Sequence, residues 1–320
     1  MKQFKSKKTR RKISIYKIII FIVMVLFFYC LFIKIFFNFK LANSNQQFLE
    51  YMLTDTNYHM LYETSSHPIT SLIKKITNID SLDILEATFG YEYSEEIEDK
   101  EVGIKTEYVY DPNPTTIENP KVYIYNTHQL ESYDNKNFSD YNIAPNILIA
   151  SYMFKEKLNK LNIPTIIETA NINDFLNLNG WNYNQSYEAS RFYVMDTLSK
   201  YPNLELIIDL HRDAIPAASS TVTIDNKKYA KILFVVGKEH DNYSANLDLA
   251  TKLNNLIKEK YPTLTRGITV KSGTNVNGIY NQDLSDKMVL IELGGYENNI
   301  EEVMNTMEAL SLIIKEYLGV

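Results

Sequence analysis

Cysteine is almost missing from this chain: 320 residues hold one, Cys30, and it lies inside an apolar run. The remainder therefore has no disulfide framework, no cysteine-based zinc site and no thiol nucleophile. Any catalysis there must draw on His, Glu, Asp, Ser, Lys or Tyr. Acidic residues are missing from residues 1–40, which carry ten of the 33 Lys and Arg. Residues 41–320 are left with 23 basic against 39 acidic residues, a formal charge near −16. Such a surface excludes nucleic acid as an expected partner. Internal repeats are absent, and composition is biased only toward Asn, Ile, Lys and Tyr.

What the N-terminus does hold is a basic tail followed by a hydrophobic run. Residues 1–17, "MKQFKSKKTRRKISIYK", contain eight Lys or Arg. Residues 18–39 are apolar apart from Lys34 and Asn38. With Lys34 snorkelling, this is about the ~20 residues a spanning helix requires. No A-x-A-like cleavage site follows, so an uncleaved transmembrane helix is expected rather than a signal peptide. The basic flank predicts a cytoplasmic N-terminus, a single pass through the cell membrane and an extracytoplasmic remainder.

Residues 41–118 read as a membrane-proximal region and linker. Short helices are expected early in it, and "YEYSEEIEDKE" is a solvated acidic run. His59 and His67 each stand four positions from Glu63. Pro68 disfavours helical backbone at His67, so both histidines are read as surface or packing residues. "DPNPTTIENP" ends the region as a linker.

From residue 119 to 320 the pattern becomes regular. Strands are expected at 121–126, 164–169, 204–210, 231–237 and 288–293. Helices are marked by Ile143, Ile147, Ala150, Phe154, Leu158 and Leu161, by residues 187–199, by Leu249, Leu253 and Leu256, and by the stripe from Ile300 to Tyr317. Alternating strands and helices imply an α/β domain with a mostly parallel central sheet flanked by helices.

Three of these strands end in chemically useful residues. "KVYIYNTH" delivers His128, with Glu131 three positions on; "LIIDLHRD" delivers His211; "MVLIELGG" delivers Glu292. Parallel strands would bring them to one edge, where open α/β sheets bind ligands. Two imidazoles and a carboxylate suit a catalytic zinc ion with an open fourth position. His128, Glu131 and His211 are the expected ligands, and Glu292 the general base and acid. Each also has a plainer reading: His211 as a hydrogen-bonded core residue, Glu131 as a helix cap, Glu292 paired with Arg191 or Arg212. Asp209 or Asp213 could orient His211; Arg212 could bind a substrate carboxylate. His240 is an additional candidate ligand, though a loop histidine is more often solvated.

The blocks "YNTHQLESY", "SYEASR", "IIDLHRDAI", "FVVGKEH", "YNQDL" and "LIELGGYENNIEEV" resemble, in order, those of the stage II sporulation protein P family. Its T-H-x-x-E-S-Y and D-x-H-R-D blocks are the specific ones. "VLIELGG" is also similar to the end of zinc-dependent N-acetylmuramoyl-L-alanine amidases. The resemblance implies a membrane-anchored cell-wall hydrolase with a zinc amidase (phosphorylase/hydrolase-like) fold. Its substrate would be the amide between muramic acid and L-alanine in peptidoglycan, with peptide crosslinks as an additional target. The implied setting is forespore engulfment, with the sporulation stage II proteins D and M as partners. Asn126 departs from the expected H-T-H block. Zinc carboxypeptidases share an H-x-x-E pair, a distant His and a late Glu, but need an Arg such as Arg191 or Arg212 for the terminal carboxylate. A membrane-tethered scaffold without catalysis is the alternative from another class.

Overall fold

The computed structural model describes residues 15–37, 40–53 and 103–320, except 115, 137, 139, 140 and 275. The chain divides into two units, residues 1–41 and 42–320. The first contains helix α1, Ile15–Phe37, on the expected membrane segment. Its described side chains, Tyr16 and residues 20–32, are all exposed. Among the described residues no helix is long and apolar enough to cross a membrane. His59 and His67, the histidines expected as surface or packing residues, lie with Glu63 outside the described residues.

The second unit is built on a six-stranded sheet in the order β2-β1-β3-β8-β6-β7. The strands are β1 Val122–Tyr125, β2 Thr165–Ile167, β3 Leu206–Asp213, β6 Ile232–Gly237, β7 Thr265–Lys271 and β8 Met288–Gly295. β4 (Thr221–Ile224) and β5 (Lys227–Ala230) form a separate hairpin. Its two-residue turn puts both Asp225 and Asn226 at positive φ, as a turn matching strand twist requires. β2, β1, β3 and β8 run parallel, whereas β6 is antiparallel to β8 and parallel to β7.

Helices cover both faces. α2 (Asn45–Leu53), α3 (Ile147–Lys160), α7 (Tyr243–Lys260) and α8 (Ile300–Leu318) pack with Ile124, Ile208, Leu210, Phe234, Ile291 and Leu293 into the main core. On the opposite face, Val194 of α5 (Ser186–Lys200) meets Tyr123, Tyr125, Ile207 and Met288. Alternate residues of each strand thus enter different layers, the two-residue period of a pleated sheet. α4 (Ile172–Asn179) lies beside α5, and α6 (Ala217–Ser220) is a single turn before the hairpin.

Parts of the expected linker region belong to this unit. Phe48, Leu49 and Met52 of α2 are fully buried, and Asn45 bonds Ala144 and Thr106. Asp111, in the proline-rich stretch, pairs with buried Lys155 of α3 at 2.5 Å. A buried cation needs such a partner, so this segment is fastened to the domain.

Candidate active site

The elements that position the site follow from strand direction. β1, β3 and β8 end at the same edge of the sheet. The turn after β1 carries His128 and Glu131. Its root is held by Asp209, which accepts from the Thr127 amide at 3.0 Å and its hydroxyl at 2.8 Å. His211 and Glu292 face each other in register on neighbouring strands β3 and β8.

A register shift between His211 and Asp213 marks a bulge. Bulges free a backbone group from the ladder and re-aim the chain. Here the Arg212 amide donates to Glu131 Oε2 at 2.7 Å. The other Glu131 oxygen lies 3.4 Å from His211 Nδ1. On its far side, His211 Nε2 lies 3.0 Å from Asp209 Oδ1. The imidazole is therefore flanked by two carboxylates.

His128 completes the cluster, its ring centroid 5.3 Å from that of His211 at 78°. The buried Nδ1 of His128, Nε2 of His211 and Oε2 of Glu292 have no partner in hydrogen-bond geometry. Unsatisfied polar atoms at buried positions are uncommon and mark places where a ligand or proton is expected.

Electrostatics separate the four groups. Burial, and then the neighbouring His211, lower His128 to about 4, so it is neutral at physiological pH. Burial also opposes charge on His211, but Asp209 and Glu131 outweigh it and hold the ring well above the usual imidazole range. Burial raises Glu131, and the His211 charge outweighs it to leave that carboxyl below its ordinary value. Glu292 is pushed up to about 8, chiefly by burial, with Glu131 and Asp213 adding to the rise.

The other expected residues divide. Asp209 meets His211, as i, i+2 residues on one strand face should. Asp213 does not: it pairs with Arg266 at 2.7 Å. Arg191 forms a two-pronged pair with Asp283 at 2.8 and 2.7 Å and does not reach Glu292. Arg212 is buried, with its guanidinium Nη1 3.4 Å from the Asp213 carbonyl. Glu131 caps no helix through its side chain; Asn146 caps α3. Asn126 is buried and donates to the Leu210 carbonyl at 2.5 Å, tying the end of β1 to β3.

His240 is not brought to this edge. β6 is antiparallel to β8, and its Leu233 lies opposite Glu292. Gly237 is four residues further on, roughly 13 Å away along the strand, and His240 follows it.

Two aromatic residues of the site were not anticipated. Tyr183, in the 3-10 turn Tyr183–Gln185, stacks on His128 with centroids 4.3 Å apart at 16°. Tyr187, in the first turn of α5, meets His128 edge-on at 5.5 Å and lies over His211 at 6.3 Å. The block "SYEASR" contained the signal for Tyr187; nothing in the sequence singled out Tyr183.

The donor set fits a metal in two respects. Ligands about 2.0–2.1 Å from a tetrahedral zinc stand about 3.3–3.4 Å apart, and Glu131 Oε1 and His211 Nδ1 are 3.4 Å apart. His128 Nδ1 is buried without another partner. As the side chains stand, no three His, Cys, Asp or Glu among the described residues converge enough to grip an ion. His128 would have to close the remaining gap.

Residues 41–315 match the family model "Stage II sporulation protein P". A curated relative, the stage II sporulation protein P of Bacillus subtilis, is 38% identical over 211 residues, covering 64% of this chain and 53% of the relative. The match thus spans about half of that protein's length. Among solved structures, the CwlD amidase of Clostridioides difficile in complex with the GerS lipoprotein is similar at 15% identity. It covers 62% of this chain and 98% of its own, with a TM-score of 0.40. A metallo-carboxypeptidase of Burkholderia cenocepacia is similar at 11% identity over 65% of this chain and 58% of its own, with a TM-score of 0.37. Likenesses that distant carry no argument about chemistry. The match along nearly the whole second unit does establish kinship: the chain belongs to the stage II sporulation protein P family.

Proposed function

We propose that this protein is a membrane-anchored, zinc-dependent hydrolase of peptidoglycan. Its reaction is cleavage of the N-acetylmuramoyl-L-alanine amide, with peptide crosslinks as a second target. Its setting is forespore engulfment, alongside the sporulation stage II proteins D and M. Residues 18–39 would be the anchor and residues 119–320 the catalytic part. The observation that best supports this reading is the convergence of His128, Glu131, His211 and Glu292 at one sheet edge, with Glu131 3.4 Å from His211 and Glu292 in register beside it.

In this reading His128, Glu131 and His211 hold zinc, the metal that a His₂Glu set suits. Bound there, zinc supplies a positive charge that polarises the scissile carbonyl. The chain's own groups do the rest. Asp209 holds the Nε2 side of His211, so Nδ1 is the nitrogen aimed at Glu131. The Arg212 amide fixes one Glu131 oxygen and leaves the other facing His211. His128 is kept neutral by burial, the form a ligand requires. To serve as a ligand, His211 would have to be deprotonated at Nδ1, the nitrogen facing Glu131.

Glu292 is the proton carrier. Burial raises the Glu292 carboxyl above its ordinary value, which favours the protonated form it needs to act as the acid once it has taken the water's proton. It takes a proton from the attacking water and delivers it to the departing nitrogen of L-alanine. Water is added across the C–N bond, leaving a carboxylate on the lactyl group and a free amine on the peptide.

The carboxypeptidase reading loses its most accessible recognition group, because Arg191 is occupied by Asp283 at both prongs. The test uses the detergent-solubilised full chain, zinc-loaded, on whole peptidoglycan. New amino termini at L-alanine with peptide-free glycan are expected. Release of single C-terminal amino acids would favour the carboxypeptidase, and no product at full zinc occupancy would favour the scaffold.

A further inference from the structure

We infer that Tyr183 is a positioning residue for His128: its parallel ring fixes the plane of the imidazole, within which His128 would close the remaining gap to a metal. The inference rests on the reading of His128 as a ligand. It begins from an asymmetry between the two histidines. His211 is oriented in the familiar way, with a carboxylate at the nitrogen away from Glu131. His128 is walled by rings instead, and its buried Nδ1 has no hydrogen-bond partner.

What surrounds His128 instead is a box of rings. Tyr183 lies nearly parallel to it at 4.3 Å, Tyr187 meets it at 87° and His211 at 78°. Stacked and edge-on contacts of this kind are directional. A ring confined by a parallel neighbour keeps a narrow range of χ2, which polar side chains with one hydrogen bond often do not.

The platform is itself stiff. Asn182 and Gln185 form a reciprocal capping box around Tyr183, and the Ser186 hydroxyl donates to the Tyr183 carbonyl at 2.7 Å. The turn is continuous with α5, whose Ser190 bonds Thr127 at 3.0 Å beside His128. Tyr183 and His128 therefore sit on two segments that are locked to each other. Tyr183 is 43% exposed, so removing its ring uncovers His128 without cutting into the core.

The experiment compares Tyr183→Ala, Tyr183→Phe and the parent full chain in detergent. It measures zinc affinity by competition with a chromophoric chelator, and the visible spectrum of the cobalt-substituted protein. Changes in residues that orient a ligand typically cost about 10–100-fold in metal affinity, and Tyr183→Ala should fall in that range. Tyr183→Phe keeps the ring and should restore affinity to within about threefold of the parent, by the same reasoning. The cobalt ligand-field bands should shift in the alanine variant and return in the phenylalanine one. Equal affinity and identical spectra in all three would overturn the inference while leaving the hydrolase reading intact. Loss of affinity in both variants would overturn it too, since the hydroxyl rather than the stack would then matter. A parent that binds neither metal would remove the hydrolase reading, and this inference with it.

Discussion

The two halves of the central sheet are built from the same kind of strand and serve different ends. β2, β1, β3 and β8 run parallel and carry His128, Glu131, His211 and Glu292 to one edge. β6 and β7 run the other way, so "FVVGKEH" ends at the opposite edge with His240. Both segments read alike in sequence, as a buried strand followed by a histidine. Strand direction, which no local pattern encodes, separates the residues that cluster at one edge from the histidine that does not join them.

The largest effects are expected from removing groups on the parallel side. His211→Ala should abolish stoichiometric zinc binding, as measured by metal analysis after dialysis; full occupancy would remove His211 from the ligand set. Glu292→Gln should keep the metal and lower hydrolysis about 10²–10⁴-fold, the usual contribution of a proton-transfer group. An unchanged rate would refute its role.

A smaller effect is expected one step back. Asp209→Asn should weaken zinc binding about 10–100-fold, whereas Asp213→Asn, whose carboxylate is spent on Arg266, should leave it near the parent value. Equal losses in a chelator titration would mean that the two aspartates are not distinguished as the contacts suggest.

Asn126 tests whether the β1–β3 seam is structural. Asn126→Asp replaces the donor to the Leu210 carbonyl with a buried carboxylate and should cost about 1–3 kcal/mol in denaturant unfolding. Asn126→Ala should cost less. The smallest effect on the metal belongs to the antiparallel side: His240→Ala should leave zinc affinity at the parent value. Loss of metal in that variant would collapse the contrast between the halves.

The regular elements were legible where their patterns are strong. The strands near 122–125, 206–213 and 288–295 and the helices α3, α5, α7 and α8 stand where apolar periodicity put them. β7 was not legible, because "TRGITVK" is a half-buried edge strand with few large apolar residues and a Gly267 at positive φ. The β4–β5 hairpin was missed because its strands are short and its turn is Asp-Asn rather than a glycine signal. The candidate cluster was visible as residue types at strand ends. Which aspartate faces His211 depended on a bulge, and which aromatic rings wall His128 depended on how α5 lies across the sheet.

The double glycine ending β8 shows the same limit from the other side. A Cβ on Gly295 would stand 2.1 Å from the Ile215 carbonyl, and Gly294 is at positive φ. Sequence shows two glycines; only the packed chain shows the Ile215 backbone against Gly295 and the Asn298 and Ala230 side chains against Gly294.

The class of this domain, its family and the residue types at its strand ends were readable from the sequence alone. Those follow from local periodicity and from a small set of residue types, both properties of the chain read one segment at a time. The tertiary structure decided the pairing: Asp209 rather than Asp213, Arg191 bound to Asp283, His240 sent away and Tyr183 brought over His128. The physical reason is that strand order, direction and register are set by long-range hydrogen bonding and burial, which join residues tens to hundreds of positions apart.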